Sequence, residues 1–382
     1  MKKITLSLLT LFAAGFAFAQ SNDDVTVQLG VGNGAFVTQI GFINDNDITQ
    51  IGMRNQAYVY QYGIANKNTT FSFGNDNLSY VNQIGEGNTN STYQFGNSNT
   101  GWVEQVGTLN QSTQLQFGDE NLAYVGQDGW LNVSSQVQLG NDNDAYAFQD
   151  GILNISTQMQ MGNDNLAVAD QEGIVNISSQ MQLGNYNTAS ATQLGLLNTS
   201  SQLQAGNFNE AYVEQYGAIN TSEQTQLGDW NEAYALQVGT GNSSTQTQIG
   251  VANEANAVQV GDNNTSSQTQ AGWFNNAYAV QVGDNNTSTQ AQLGNFNTAF
   301  VNQDGSYNTA LQLQLGDGNT AFINQDGVLN TATQLQVGNG NTAVDLQYGL
   351  LNQASITQLG ANHTHFGLQV GGLNTTIVYQ SN

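Results

Sequence analysis

The side chains best suited to metal chemistry in this 382-residue sequence are its two histidines, His363 and His365, which lie two residues apart. This spacing offers two nitrogen ligands to a metal ion, whereas a structural zinc site normally uses four ligands. The sequence contains no cysteine, and no third ligand clusters with the pair. We therefore predict that the chain has no metal site.

Motifs that carry catalysis or hold a cofactor are also missing from the sequence. There is no Ser-His-Asp arrangement, phosphate-binding loop or recurring calcium-binding nonapeptide. The spacing Gly-x-x-Asn recurs, as in Gly140 to Asn143, but we interpret it as a chain reversal and not as a phosphate cradle. The sequence predicts a protein that is not an enzyme and binds no cofactor.

The first residues have the composition of an export signal. Lys2 and Lys3 precede an apolar run that ends in Ala17-Phe18-Ala19, and a basic start followed by such a run is typical of a secretory signal peptide. The apolar run is too short to span a bilayer as a helix. We predict a signal peptide at residues 1–19, a short N-terminal segment at 20–27, a repeat domain at 28–382, and a secreted protein without membrane insertion.

Charge and composition exclude several partners and folds. Loss of residues 1–19 leaves Arg54 and Lys67 against 28 acidic residues, a net charge of −26. Nucleic acids and anionic membrane surfaces bind basic surfaces, so we expect neither as a partner. The chain also lacks proline, which fits a sheet in which every strand is central because proline cannot donate to a backbone ladder.

An 11-residue repeat runs through the whole chain after the signal. Glutamine occupies 32 of 33 places from Gln28 to Gln380, glycine occupies all 32 places from Gly30 to Gly371, and asparagine runs from Asn33 to Asn374 with His363 as the single exception. We therefore interpret His363 as a structural substitute for asparagine. We expect these three series to form stacked ladders, which are clearest at Gln138, Gln149, Gln160, Gln171 and Gln182, at Gly140, Gly151, Gly162, Gly173 and Gly184, and at Asn143, Asn154, Asn165, Asn176 and Asn187.

Each repeat predicts a β-strand and not a helix. An 11-residue period also fits a right-handed coiled coil, but a glycine in every unit costs a helix about 1 kcal/mol relative to alanine, and an apolar Leu or Ile stripe is missing. The seven residues from Asn143 to Gln149 alternate instead, with Ala145 and Ala147 on the inner face and Tyr146 on the outer face. The small inner residues indicate that two sheets approach closely.

A second period of 22 residues completes the predicted architecture. Alternate units carry an extra inner glutamine, for example Gln136 and Gln158, where the others carry Ala, Val or Ile. Two strands and two tight arcs therefore make one turn of a parallel, all-β β-solenoid with cross-β stacking. We count 32 strands in 16 turns, a column about 75 Å long. The outermost strands are predicted at Asn33–Gln39 and Asn374–Gln380, where open backbone edges favour head-to-tail polymerisation.

Aromatic residues recur every 22 residues on the outer face. They include Tyr124, Tyr146, Tyr212, Tyr234, Tyr278, Phe300 and Phe322. One interpretation is stacking between successive turns, which stiffens the sheet. The other is lateral contact between fibres or adhesion to a surface.

The unit Q-x-G-x-x-N-x-A-x-x-x-Q, repeated from Gln28 to Gln380 after an export signal, resembles the curlin repeat of bacterial curli subunits. The resemblance implies an extracellular amyloid fibre of the biofilm matrix at the bacterial cell surface, with roles in cell aggregation and surface adhesion. It also implies a nucleator subunit and an outer-membrane secretion channel as partners. This chain carries many more repeats than familiar major subunits, and the family's N-terminal targeting segment is hard to find between Gln20 and Gln28.

A different function class fits the outer face that is rich in serine and threonine. Rows such as Thr245-x-Thr247 are also found in ice-binding or glycan-binding solenoids that remain monomeric. Met159, Leu203 and Glu223 interrupt these rows. Thermal hysteresis in a monomeric sample would favour this alternative over a fibre subunit.

Overall fold

A computed structural model describes residues 21–382, and all the regular structure in this range is β-strand. The predicted all-β solenoid is confirmed: 33 strands form two parallel sheets, with about 22 residues in each turn. Residues 21–382 contain no helix long and apolar enough to cross a bilayer. The predicted signal peptide at residues 1–19 lies outside the described residues.

The strands follow one another with very short connections. Their bounds are β1 Asp23–Val31, β2 Gly34–Phe42, β3 Asp45–Met53, β4 Gln56–Ile64, β5 Lys67–Asn75, β6 Leu78–Glu86, β7 Thr89–Asn97, β8 Thr100–Thr108, β9 Gln111–Phe117, β10 Leu122–Trp130, β11 Val133–Leu139, β12 Asp144–Ile152, β13 Ile155–Met161, β14 Leu166–Ile174, β15 Ile177–Leu183, β16 Thr188–Leu196, β17 Thr199–Ala205, β18 Glu210–Ala218, β19 Thr221–Asp229, β20 Glu232–Thr240, β21 Ser243–Val251, β22 Glu254–Val260, β23 Thr265–Trp273, β24 Asn276–Asp284, β25 Thr287–Leu293, β26 Thr298–Ser306, β27 Thr309–Leu315, β28 Thr320–Val328, β29 Thr331–Asn339, β30 Thr342–Leu350, β31 Gln353–Ala361, β32 Thr364–Gly372 and β33 Thr375–Ser381.

Odd-numbered and even-numbered strands form separate sheets. The 17 odd strands make one sheet and the 16 even strands make the other. Every pair is parallel, and each residue lies beside the residue 22 positions later, as Tyr124 lies beside Tyr146 and Gln149 beside Gln171. Identical series of the repeat therefore stack directly above one another.

The column begins one strand earlier than the sequence analysis predicted. β1 occupies residues that we had assigned mainly to the short segment 20–27, and it pairs with β3 over its full length. The described residues therefore contain 33 strands instead of 32, and the segment that we predicted as the first strand, Asn33–Gln39, corresponds to β2, which begins at Gly34. The cause is that Asn22 already holds the asparagine place of the repeat: its Oδ1 accepts the backbone N–H of Asn44 at 3.0 Å.

Most of the strands, 24 of the 33, are nine residues long and extend further than the predicted seven. β12 runs to Ile152, so that only Leu153 and Asn154 separate it from β13. Gly151 stays in register beside Gly173 although its φ is 117°, a conformation that favours glycine. A Cβ on Gly151 would overlap the carbonyl oxygen of Gly173, so both the dihedral angle and the spacing require glycine here.

The residue that follows each glycine by two positions reverses the chain in the left-handed region. Leu153 has φ 59° there, and its N–H donates to the carbonyl of Trp130 at 2.9 Å. Non-glycine residues in this region cost about 1–2 kcal/mol. The bond between successive turns compensates for this cost, which explains why many residue types are accepted at this place.

The core between the sheets is thin and largely polar. Even strands contribute alanine and valine, such as Ala145 and Val125, and the central odd strands contribute serine and glutamine, such as Ser156 and Gln158. All of these side chains are buried. Because little apolar area is available, hydrogen bonds between successive turns must satisfy most of the buried groups.

Candidate assembly surfaces

The glutamine series forms continuous ladders in both sheets. Gln149 Nε2 donates to Gln171 Oε1 at 2.9 Å and to the carbonyl of Val133 at 3.0 Å, while Gln149 Oε1 accepts from Gln127 at 2.8 Å. In the other sheet, Gln138 donates to Gln160 and Gln160 donates to Gln182, both at 3.0 Å. Every amide in this run donates toward the C-terminal end, so the ladder has a direction.

The asparagine series is bonded in the opposite direction. The backbone N–H and Nδ2 of Asn143 donate to Asn121 Oδ1 at 3.1 and 3.0 Å, which lies one turn toward the N-terminus. Nδ2 also donates to the carbonyl of Gly162 at 2.8 Å, one turn toward the C-terminus. Each asparagine therefore ties its own arc to the turns on both sides.

The same pattern holds at the other arc with one difference. Asn154 and Asn176 donate their backbone N–H one turn back, each at 3.0 Å, but their Nδ2 atoms bind the carbonyls of Asp150 and Glu172 in their own turn. The remaining predicted places follow the pattern of Asn143, since Asn165 and Asn187 donate to the preceding asparagine at 2.9 and 3.0 Å. The glycine carbonyls of Gly140, Gly151, Gly162, Gly173 and Gly184 all accept from these side chains.

A third ladder, which the sequence analysis missed, runs along the arcs that lead from odd to even strands. It lies on the exposed residue after the glycine, where Asn141 Nδ2 donates to Asn163 Oδ1 at 3.3 Å and Asn163 donates to Asn185 at 3.1 Å. The same place is filled by Asn97, Asp119, Asn207 and Asp229. The frequent sequence Gly-Asn/Asp-x-Asn was the signal that could have revealed it.

The predicted aromatic stripe is half-buried and interrupted. Phe300 and Phe322 stack in parallel with ring centroids 4.9 Å apart, and Tyr124 lies 6.4 Å from both Trp102 and Tyr146. Val168 and Ser190 separate Tyr146 from Tyr212, and Asn256 separates Tyr234 from Tyr278. Stacking between turns is therefore present within short segments and not along the whole column.

A second aromatic row lies on the odd-to-even arcs, and the sequence analysis did not identify it. Tyr186, Phe208 and Trp230 stack face to face, with centroid distances of 4.8 and 4.2 Å. Phe274 and Phe296 continue the row at 5.3 Å. Trp230 is 59% exposed and Phe296 is 62% exposed, so these rings face solvent more than the predicted stripe does.

The opposite arcs form an apolar edge without such stacking. Leu131, Leu153, Leu197 and Ile219 project there and are between 40% and 55% exposed. The solenoid therefore has two chemically different edges. One edge carries amide ladders and aromatic rings, and the other carries aliphatic side chains except in turns such as those that hold Gly241, Asn263, Asn285 and Tyr307.

Three segments of the chain match the sequence model of the curlin-associated repeat, at residues 96–129, 225–250 and 294–327. The first and third both run from one glycine of the repeat to another and lie in the same 22-residue frame. The ladder geometry continues unchanged through the segments between them. The chain is a curlin-repeat protein. No curated protein is similar enough to the chain to be matched to it.

The curlin family is a family of structural, non-enzymatic proteins. Residues 21–382 include no cluster of three His or acidic side chains placed to hold a metal ion. His363 occupies its asparagine place: its N–H donates to Asn341 Oδ1 at 3.0 Å, and its Nε2 lies 3.0 Å from the carbonyl of Leu359. The backbone bond of the ladder is therefore kept, while the imidazole contacts only a carbonyl of its own turn.

One buried acid–base pair interrupts the curlin pattern near the C-terminal end. Asp345 replaces an inner apolar residue, and its Oδ1 lies 3.9 Å from Nε2 of His365, which replaces an inner alanine. Burial raises the pKa of Asp345 to about 6, and burial lowers the pKa of His365. A Cβ on the neighbouring Gly367 would lie 2.5 Å from Asp345 Oδ1, so glycine leaves room for the pair.

The two ends of the described column present unpaired strand edges. β1 and β2, which we call the N-terminal end face, pair only with β3 and β4. β32 and β33, the C-terminal end face, pair only with β30 and β31 within residues 21–382. Asn33 immediately precedes β2 and Gln39 lies in it, while Asn374 immediately precedes β33 and Gln380 lies in it. Each of the four is bonded to its ladder on one side.

Proposed function

We propose that the chain is a secreted structural subunit that assembles head to tail into an extracellular curli-type amyloid fibre. The curlin repeats support a structural subunit of this type. The observation that carries the proposal is the continuity of the ladders. Gln358 still donates to Gln380 at 2.8 Å in the last strand, and Gln28 already donates to Gln50 at 2.8 Å in the first.

Both end faces therefore offer the same backbone and amide groups that join successive turns inside the column. A strand edge with free N–H and C=O groups is a template for a further strand. Parallel, in-register stacking of identical side chains is the arrangement found in cross-β fibres. Polymerisation extends the internal bonding pattern and requires no new kind of contact.

We further propose that such fibres contribute to a biofilm matrix, to cell aggregation and to adhesion at a bacterial surface. A nucleator subunit and an outer-membrane channel are proposed as partners on the basis of the family resemblance. The mature net charge of −26 makes basic or cation-bridged surfaces better ligands for the fibre than anionic ones.

The decisive experiment follows the purified mature chain, residues 20–382, at neutral pH. We expect thioflavin-positive, detergent-resistant fibres whose diffraction includes a meridional reflection near 4.8 Å. A folded chain that remains monomeric at high concentration would contradict the proposal. Thermal hysteresis in that monomeric sample would support the ice-binding alternative.

A further inference from the structure

The odd number of strands in residues 21–382 determines how two copies of this column can join. Each arc carries the chain from one sheet to the other, so β33 lies in the 17-stranded sheet with β1. A thirty-fourth strand that continued the solenoid would lie in the 16-stranded sheet, above β32. In a continuous fibre, β1 of the following copy takes that place.

We propose that consecutive copies are related by a half-turn about the column axis, so that β1 pairs with β32 and β2 pairs with β33 of the preceding copy. This inference rests on the head-to-tail assembly proposed above. The 17-stranded sheet of one copy then continues as the 16-stranded sheet of the next. The aliphatic and aromatic edges consequently exchange sides at every joint.

The unrotated joint would leave a gap in one sheet. If β1 stacked on β33 within the same sheet, β2 would lie two strand spacings, about 10 Å, from β32. The facing edges of β2 and β32, each nine residues long, would then lack strand partners. Unpaired backbone groups that are shielded from water are costly, so the rotated joint is favoured.

The inner apolar residues of the end faces match only in the rotated joint. Val378 in β33 lies above Ile356, and Val37 in β2 lies beside Val59 and packs against the N-terminal apolar cluster. The half-turn places Val37 on Val378 and joins these two apolar columns. The unrotated joint places Thr26 on Val378 instead.

The polar residues of the end faces also match. The half-turn places Asp24 of the following copy on His365, whose Nε2 is buried and has no hydrogen-bond partner within the described residues. Asp24 Oδ1 accepts a bond from Asn46 at 2.6 Å and one from Thr26 at 3.4 Å, and the Asp24 side chain is exposed. Thr26 lies on Gly367, where no side chain separates it from Asp345 and His365.

Cysteine pairs distinguish the two joints, because the chain has no cysteine of its own. Val25 faces outward from β1, and Phe366 and Ile377 face outward from β32 and β33, all at least 50% exposed. The half-turn places Val25 beside Phe366, and the unrotated joint places it beside Ile377. The variants V25C/F366C and V25C/I377C would be assembled into fibres and treated with a short thiol-bridging reagent.

We expect V25C/F366C to form a ladder of covalent multimers on a denaturing gel, with loss of most of the monomer band, and V25C/I377C to remain largely monomeric. Single V25C fibres control for lateral contacts, which yield no product larger than a dimer. The reverse pattern, or fibres in which neither pair bridges, would overturn the half-turn. Absence of fibres from the unsubstituted chain would instead refute the proposed function.

Discussion

Replacing the arc glycine Gly151 by alanine tests whether glycine is required by its dihedral angle, by close packing between turns, or by both. Gly151 has φ 117°, and a Cβ there would overlap the carbonyl oxygen of Gly173. Two other glycines separate these effects. Gly318 has φ 64° with nothing within 4 Å of its Cβ position, and Gly126 lies in a strand beside the ring of Tyr124 without a positive φ.

The structure assigns a different cost to each substitution. Gly126→Ala removes backbone freedom from a strand, which is worth about 0.5–1 kcal/mol. Its Cβ would lie 3.3 Å from Tyr124 Cε1, so this gain requires a small shift of the half-buried tyrosine ring. Gly318→Ala pays about 1–2 kcal/mol for the left-handed conformation, offset by about 0.4–1 kcal/mol of lost freedom in the unfolded chain. Gly151→Ala destabilises the folded state by about 1–3 kcal/mol because it forces alanine into a conformation that almost only glycine adopts.

The overlap adds to the cost of Gly151→Ala because it must displace the carbonyl of Gly173. That oxygen accepts Nδ2 of Asn154 at 3.1 Å, so its movement also weakens a bond of the asparagine ladder. A lost buried hydrogen bond costs about 1 kcal/mol or more. These two contributions add to a total of about 2–4 kcal/mol, several times the cost of Gly318→Ala.

Hydrogen exchange measured by mass spectrometry is the appropriate assay, because a long repeat array opens locally and has no single unfolding free energy. Peptides that cover β12 to β14 should lose protection in Gly151→Ala, and peptides around β27 and β28 should change little in Gly318→Ala. Equal opening free energies in the two variants, within about 0.5 kcal/mol, would show that packing between turns is not the reason for the glycine.

Three further predictions concern the inner side chains. Gln149→Ala leaves Gln127 and Gln171 without their hydrogen-bond partner and should lower the local opening free energy by about 3 kcal/mol. The control Gln111→Ala, on the exposed face, should change that free energy by less than about 0.5 kcal/mol. Equal losses in the two variants would contradict the glutamine ladder. Ser178→Ala should leave the stability unchanged or raise it by up to about 1 kcal/mol. The reason is that the Ser178 hydroxyl is buried without a protein hydrogen-bond partner in the described residues, and Ala310 occupies the same inner place. A loss of stability larger than about 1 kcal/mol would indicate that a bound water satisfies this hydroxyl. Asp345→Val should stabilise β29–β32 by about 3 kcal/mol at pH 7, because burial raises the pKa of Asp345 from 3.8 in the unfolded chain to about 6 in the folded protein. The unsubstituted protein should therefore lose this stability relative to the variant as the pH rises from about 4 to about 6. A stability difference that does not change across that window, with His365 and Gln334 still in place, would refute the assignment.

Most of the fold could be predicted because each nearly invariant residue type of the 11-residue repeat has a single structural role that other residues cannot fill. Gly151 is required both by its positive φ and by the close approach of the Gly173 carbonyl. Gln149 is required because its buried amide must form hydrogen bonds with the neighbouring turns. The alternation of Ala145 and Ala147 with Tyr146 then assigns the two faces of the strand. Such tasks leave a clear signal even in a single sequence.

The sequence was less informative where the backbone accepts many residue types. The place occupied by Tyr186, Phe208 and Trp230 lies between the invariant glycine and asparagine, and residues there vary from glycine to tryptophan. The bond between turns that holds this place uses backbone atoms only. The 22-residue spacing of Tyr186, Phe208 and Trp230 was the available signal, but it is weak because Ala252 interrupts the row and most residues at this place are not aromatic.

The first strand was missed for a related physical reason. β1 is exposed over nearly all of its length, and Asp23 and Asp24 disguise the small inner residue that marks other strands. Only Asn22 and Gln28 keep the frame, and their bonds to Asn44 and Gln50 hold the strand in register. Local composition therefore indicated a short tail, and the 22-residue frame was the better guide.

The opposite directions of the two amide ladders explain how a column with a thin core can remain ordered. Gln149 donates toward the C-terminal end and Asn143 donates its ladder bond toward the N-terminal end, so every interior turn is held on both sides by charge-neutral amides. Ordering one turn costs conformational entropy that the few buried alanines cannot offset. Stability must therefore accumulate with the number of stacked turns. The end strands, held on one side only, are then the least stable part of the column, and joining two end faces removes two such weak points at once.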